Sequence, residues 1–214
     1  MTYRPPHVRA DDRAPLLALI ATHPLATFIT VPDGEPVVTY VPMLAREADG
    51  VLYLEGHIAR ANNQWQGGDG TSVALFRVAD HYISPTWYAT KAQTGRVVPT
   101  FDYVSIEARG PVQFIEDTVW LREFVARLTV SQEARVGSGW TIDEAPADYM
   151  ESQLKAIVGV QMRVDALTGL FKLNRHHPAE NVAGVIKGLE MLENPDANAI
   201  AAYMRVDLAN RDDA

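Results

Sequence analysis

The 214-residue chain contains no cysteine, which excludes disulfides, thiolate nucleophiles, Cys-ligated iron–sulfur clusters and Cys-based zinc sites together. Positive charge is scarce as well. Nineteen Lys and Arg stand against 27 Asp and Glu, a formal net charge of −8. A protein that coats a nucleic-acid duplex draws its affinity from neutralising phosphates with basic side chains, so direct DNA contact is disfavoured. No apolar run approaches the ~18 residues of a membrane-spanning helix. The opening Met1-Thr2-Tyr3-Arg4-Pro5-Pro6 lacks the apolar core of a signal peptide. The expectation is a soluble, cytoplasmic protein with no membrane partner. The six histidines show no metal-ligand spacing such as HExxH, and no GxSxG elbow occurs. Gly67-Gly68-Asp69-Gly70 matches neither the P-loop nor the dinucleotide fingerprint and reads as a turn. Hydrolase chemistry has no residues to stand on.

What is present is a strand-rich first half and a helix-rich second half. Asp11 or Asp12 caps a helix carrying Leu16, Leu17, Leu19 and Ile20, which Pro24 ends. Leu25 to Val31 and Pro36 to Met43 read as strands around the turn Pro32-Asp33-Gly34. Asp49-Gly50 turns the chain into Val51 to Gly56; Thr71 to Val78 and Val98 to Ile115 complete five or six antiparallel strands. Their spacing suits a small barrel, which closes the sheet and removes exposed edges. Glu116 to Arg135 is amphipathic at helical spacing, Pro146 to Leu154 is a shorter helix, and Ile157 to Val164 returns to strand composition. Pro178 to Glu193 opens with proline at an expected first helical position, and Pro195 to Asn210 forms a terminal helix. With no repeat or linker, the economical reading is one α+β domain over 1–214 with a helical C-terminal elaboration from about residue 178.

Two segments carry candidate chemistry. Gly56-His57-Ile58-Ala59-Arg60-Ala61-Asn62-Asn63-Gln64-Trp65 follows a strand and opens a short helix, where backbone N–H groups make an anion pocket. Arg60 adds a forked, charge-assisted contact suited to phosphate, and Asn62 and Asn63 add uncharged hydrogen bonds. The plainer alternative is a solvated Arg60 and a His57 that caps the strand. The second segment runs His81-Tyr82-Ile83-Ser84-Pro85-Thr86-Trp87-Tyr88, then Lys91, then Val98-Pro99-Thr100-Phe101-Asp102-Tyr103. Aromatic faces, hydroxyls and one lysine can sandwich a planar ring and bond its polar edge. If the stretch is helical, Tyr88 and Lys91 are neighbours. The plainer alternative is an aromatic core corner with Lys91 reaching water. Stacked nucleic-acid bases are disfavoured, because residues 56 to 115 carry five basic against four acidic side chains.

Taken together these segments resemble the PaiB family, the FMN-binding negative transcriptional regulators. The resemblance runs from Tyr3-Arg4-Pro5-Pro6-His7 through Pro24 to Thr27, GHIARANNQW (56–65), HYISPTWYATK (81–91) and VPTFDY (98–103) to Leu128-Thr129, Trp140 and Lys155 to Gly159. It implies a split β-barrel like that of pyridoxamine-phosphate oxidase and flavin reductases, assembled as a homodimer with FMN-type sites in the clefts between subunits. The cofactor-binding residues it implies here are His57, Arg60, Ala61, Asn62, Trp65, Ser84, Trp87, Tyr88, Lys91, Thr100 and Tyr103. The chain departs from the family pattern at Tyr40, where histidine is usual, and at Phe101-Asp102, where Trp-Asn is usual. It departs again at Glu107 and Gln132, where histidines are usual, and across 170–176. Asp102 and Glu107 near a cofactor would make the pocket less welcoming to a phosphate. Three functions follow: a regulator holding a flavin or other phosphate-bearing small molecule, a flavin-dependent oxidoreductase on the same barrel, or a binding protein that keeps the fold without cofactor.

Overall fold

The computed structural model describes residues 3–212. Met1 and Thr2, part of the segment read above for a signal core, lie outside them. The chain divides into two compact units. A central unit comprises Leu17–Phe76 and Ala108–Leu167; a terminal unit holds the chain up to Leu16, Arg77–Glu107 and the chain from Thr168 onward.

The central unit is antiparallel sheet covered by helices. Helix α1 (Arg13–Thr22) starts where the Asp12 carboxylate accepts from the Ala14 N–H at 3.3 Å and stops before Pro24. Strand β2 (Leu25–Thr30) follows and pairs with β3 (Val37–Pro42), Thr30 opposite Val37, around a 3-10 turn at Pro32–Gly34. Strands β4 (Leu44–Ala48) and β5 (Val51–Ala59) form a tight hairpin. Its two turn residues, Asp49 and Gly50, have φ of 52° and 76°, the left-handed pair that matches strand twist. Strands β6 (Gly70–Ile83), β7 (Thr100–Ile115) and β8 (Ile157–Arg163) complete the order β3-β2-β6-β7-β8-β5-β4. Helix α3 (Thr118–Val136) is capped by the Asp117 carboxylate, which accepts from the Trp120 N–H at 2.8 Å, and ends at Gly137 in the left-handed region. It packs Leu121 with Ile142 and with Met150 and Leu154 of α4 (Ala147–Lys155), the cluster that anchors helices to sheet.

In the terminal unit, β1 (Arg9–Ala10) pairs with β9 (Ala166–Lys172), which also pairs with β7. Beyond lie α5 (Ala179–Glu190) and α6 (Pro195–Asp212), which bury Val182, Val185, Leu189, Ile200 and Met204. A four-residue helix, α2 (Lys91–Thr94), follows the aromatic segment.

Several expectations need correction. Among the described residues there are nine strands, against the five or six expected up to Ile115 and the one expected over Ile157 to Val164. Strand β4 was hidden because its inward positions alternate as Leu44, Arg46, Ala48, an arginine interrupting the apolar signal. Strand β9 carries Gly169, whose added Cβ would stand 2.5 Å from the Ala10 carbonyl oxygen, so close strand approach rather than side-chain pattern defines it. Pro178 is the N-cap of α5, not its first helical residue. Tyr88 has extended backbone and Lys91 begins α2, so the two do not share a helix. His57 lies within β5, paired opposite Gly159, rather than capping it.

Candidate functional site

In the central unit, the candidate residues lie where β5 runs out into a 3-10 turn at Asn63–Gly67. Strand alternation sends Leu54 and Ile58 to the core and turns Tyr53, Glu55 and His57 to the other face. The His57 ring stands 5.8 Å from Phe124, which stacks on Trp120 at 5.5 Å. Trp120 in turn covers Gly159, where an added Cβ would meet the indole at 2.4 Å. Burial pushes the His57 pKa below its ordinary value and its Nδ1 has no hydrogen-bond partner, so the ring is held neutral.

Arg60 is the hub of the turn. Its Nε donates to the Lys155 carbonyl oxygen at 2.9 Å and its Nη2 to that of Ile157 at 3.2 Å. Its Nη1 meets the Glu116 carboxylate at 2.5 Å. The guanidinium lies 5.5 Å from the Trp65 ring, whose Nε1 donates back to the Arg60 carbonyl oxygen at 3.0 Å. Asn62 caps the turn: its Oδ1 accepts from the Gln64 N–H at 3.0 Å and its Nδ2 donates to Thr39 Oγ1 at 2.8 Å. Ala61 is exposed. Arg60, Asn62 and Trp65 are thus brought together, while His57 faces the α3 aromatics.

The remaining candidates belong to the terminal unit and fall into three places. Ser84 caps a 3-10 turn at Pro85–Trp87, its Oγ accepting from the Thr86 N–H at 3.2 Å. Trp87 packs on α5, and Lys91 is exposed. Tyr88 is buried; its Oη accepts from Asn174 Nδ2 at 3.2 Å and its ring stacks on His177 at 4.9 Å. Thr100 and Tyr103 gather around Lys172, whose Nζ donates to Thr100 Oγ1 and, at 2.5 Å, to the Phe101 carbonyl oxygen, and lies 5.9 Å from the Tyr103 ring.

Sequence reading did not single out Lys172 or Asn174 as site residues. It flagged the neighbouring Asp102 only as a departure. The Asp102 side chain is fully buried, and neither carboxylate oxygen has a hydrogen-bond partner. Burial raises its pKa to about 7, against the opposing pull of the Lys172 ammonium. Burial also pushes the Tyr88 hydroxyl up, and burial together with neighbouring cations pushes the His176 pKa down.

An α+β arrangement of antiparallel strands with flanking helices defines the class, a split-barrel protein. Over residues 2–166 the chain matches the family described as "Putative FMN-binding domain", and it belongs to that family, the PaiB group of split-barrel proteins. Among characterised sequences it is 25% identical over 94% of its length, and 96% of the other chain, to protease synthase and sporulation protein PAI 2 of Bacillus subtilis. Among solved structures, the FAD and heme binding protein from Mycobacterium smegmatis superposes with a TM-score of 0.56 at 18% identity, over 77% of this chain and 73% of that one. The flavocytochrome Anf3 from Azotobacter vinelandii does so with a TM-score of 0.54 at 15% identity, over 77% and 69%. These superpositions report the shared fold.

The Arg60 corner has donor chemistry of the kind a phosphate requires. The guanidinium already has a carboxylate partner, Glu116, which is 58% exposed.

Proposed function

We propose that this protein is a PaiB-like homodimer that holds FMN and acts as a negative regulator of transcription. The observation that carries the reading is Arg60 at the end of β5, held by two backbone carbonyls beside Trp65 with the exposed Glu116 as its one counter-ion among the described residues. Arg60 would hold the phosphate, Asn62 keeps the turn in shape, and Trp65 keeps the guanidinium oriented. FMN, when bound, would supply reversible electron-transfer chemistry. The neutral His57 would add no positive charge near the flavin. With a net charge of −8, regulation runs through a protein partner or a small metabolite rather than through unaided DNA contact. Exposed Leu25, Val38 and Tyr40 on β2 and β3 give a second copy an apolar face to cover.

The absorbance spectrum of the purified protein, with and without added FMN, tests the cofactor. Flavin bands that persist through desalting support it, and a colourless protein that FMN leaves unaltered sinks it. Sedimentation at micromolar concentration tests the assembly, a monomer-sized species being the contrary result.

A further inference from the structure

The central unit buries an ion cluster that the flavin reading does not use. Glu55, in the middle of β5, is completely buried, with both carboxylate oxygens engaged. Oε1 accepts from Arg46 Nε at 2.7 Å and from Gln161 Nε2 at 2.9 Å; Oε2 accepts from Arg127 Nη2 at 2.6 Å. Burial alone would raise its pKa, but the three donors outweigh that and hold it ionised. An ion pair of this kind adds little stability over apolar residues of the same volume, so its retention calls for a reason other than packing.

The two arginines supply that reason. Each gives one nitrogen to Glu55, and the remaining N–H donors meet no acceptor among the described residues. Their side chains remain 37% and 41% exposed. Both are oriented by aromatic rings, Arg46 by Tyr53 at 5.2 Å and Arg127 by Phe124 at 5.8 Å. Both line one open groove of about 460 Å³ between α1, β4 and α3. Its walls are mostly aliphatic, Leu17 and Ala21 of α1 with Leu44 and Leu52 of the β4–β5 hairpin, and Ser131 of α3 adds one hydroxyl. Glu47 also lines the groove, on the face of the hairpin that it shares with its cross-strand partner Leu52.

Two fixed guanidiniums share one buried carboxylate and keep unused donors at one wall of a largely aliphatic groove. We infer that this groove binds an apolar monocarboxylate, the carboxylate head on Arg46 and Arg127 and the hydrocarbon body along Leu17, Ala21, Leu44 and Leu52. The unused guanidinium donors suit a single carboxylate head, and the volume lies in the range of small-molecule sites. A forked guanidinium matches a carboxylate in plane and spacing, and Glu55 fixes the two forks before the ligand arrives. The site is independent of Arg60 and of flavin.

Octanoate is the probe, with octanamide as its neutral counterpart, in calorimetric titrations of the full chain. Octanoate should bind, and octanamide about ten-fold or more weakly, because a charge-assisted pair is lost. Arg127→Gln should weaken octanoate by a similar factor. Should that variant fail to fold, Ala21→Phe fills the groove without touching the ion cluster and should abolish binding at unchanged flavin absorbance. Equal affinity for octanoate and octanamide, no heat up to about 5 mM octanoate, or undiminished binding by Ala21→Phe would each overturn the inference. So would dissociation of a dimer by Ala21→Phe without any octanoate binding to the parent, since a second copy would then fill the groove.

Discussion

The indole of Trp87 lies against Gly188 of α5 so closely that a Cβ added there would stand 2.4 Å from two of its ring carbons. One turn earlier on the same helix, a Cβ on Gly184 would stand 2.2 Å from the Trp87 carbonyl oxygen. The two glycines form a shelf that receives both the ring and the backbone of the Ser84–Tyr88 segment. Trp87 therefore has a packing role, and the aromatic segment is fastened through it to the C-terminal helices.

Trp87→Ala should accordingly cost about 2–4 kcal/mol of stability, somewhat below a fully buried aromatic because the residue is only partly buried. Gly188→Ala should cost about 1–3 kcal/mol by overpacking against the same ring. Urea unfolding of both variants measures this. Unchanged midpoints would show that the ring does not depend on the shelf.

Asp102 should make stability depend on pH in a defined direction. Its folded pKa of about 7 lies above the 3.8 of an unperturbed Asp, so the fold favours the neutral acid. The stability this contributes is full below about pH 4 and is lost as pH rises to about 7. The shift corresponds to about 4 kcal/mol. Asp102→Asn keeps the shape without the ionisation. It should be more stable than the parent at pH 8 by up to that amount and near parity at pH 4. Denaturation at pH 4, 6 and 8 checks it; a difference that does not vary with pH counts against an ionising, unpartnered carboxyl.

Arg60 and Glu116 should act in opposite directions on flavin binding. Arg60→Ala removes a charge-assisted contact worth about 1.5–3 kcal/mol, so FMN should bind roughly 10- to 150-fold more weakly. Glu116→Gln removes the resident counter-ion. Exposed ion pairs are worth about 0–1 kcal/mol, so binding should tighten by up to about five-fold. Fluorescence titration of FMN reads both. Equal constants for the parent and both variants would place the phosphate elsewhere.

The Glu55 cluster gives a fourth expectation. Glu55→Gln leaves Arg46 and Arg127 without their shared anion, and both guanidiniums reach water. The cost should be about 2–3 kcal/mol, below the 3–5 kcal/mol of a fully enclosed pair. Its folded pKa is depressed, so the stability the carboxylate contributes is present above the ordinary carboxylate range and lost as pH falls through the lowered value. The gap between parent and variant should therefore narrow on acidification, as thermal melts at pH 3 and 7 would show.

The sequence by itself determined the punctuation of this fold and the family to which it belongs. Asp12, Pro24 and Asp49-Gly50 act through their own backbone geometry and short-range hydrogen bonds, so this helix start, this stop and this hairpin turn are legible without neighbours. The long blocks at 56–65 and 81–91 carry the family resemblance in the same local way. Only the tertiary structure decided where these side chains are used. Strand β9 exists because Gly169 admits the Ala10 backbone, and the Trp87 position exists because Gly184 and Gly188 lie on a helix about a hundred residues away. Arg60 meets carbonyls from residues 155 and 157, and Lys172 organises Thr100 and Tyr103 from 69 to 72 residues downstream. Asp102 reads as one more acid in a strand until burial strips it of water and partner alike. Desolvation and long-range contact are properties of the packed chain, and no local pattern of residues encodes them.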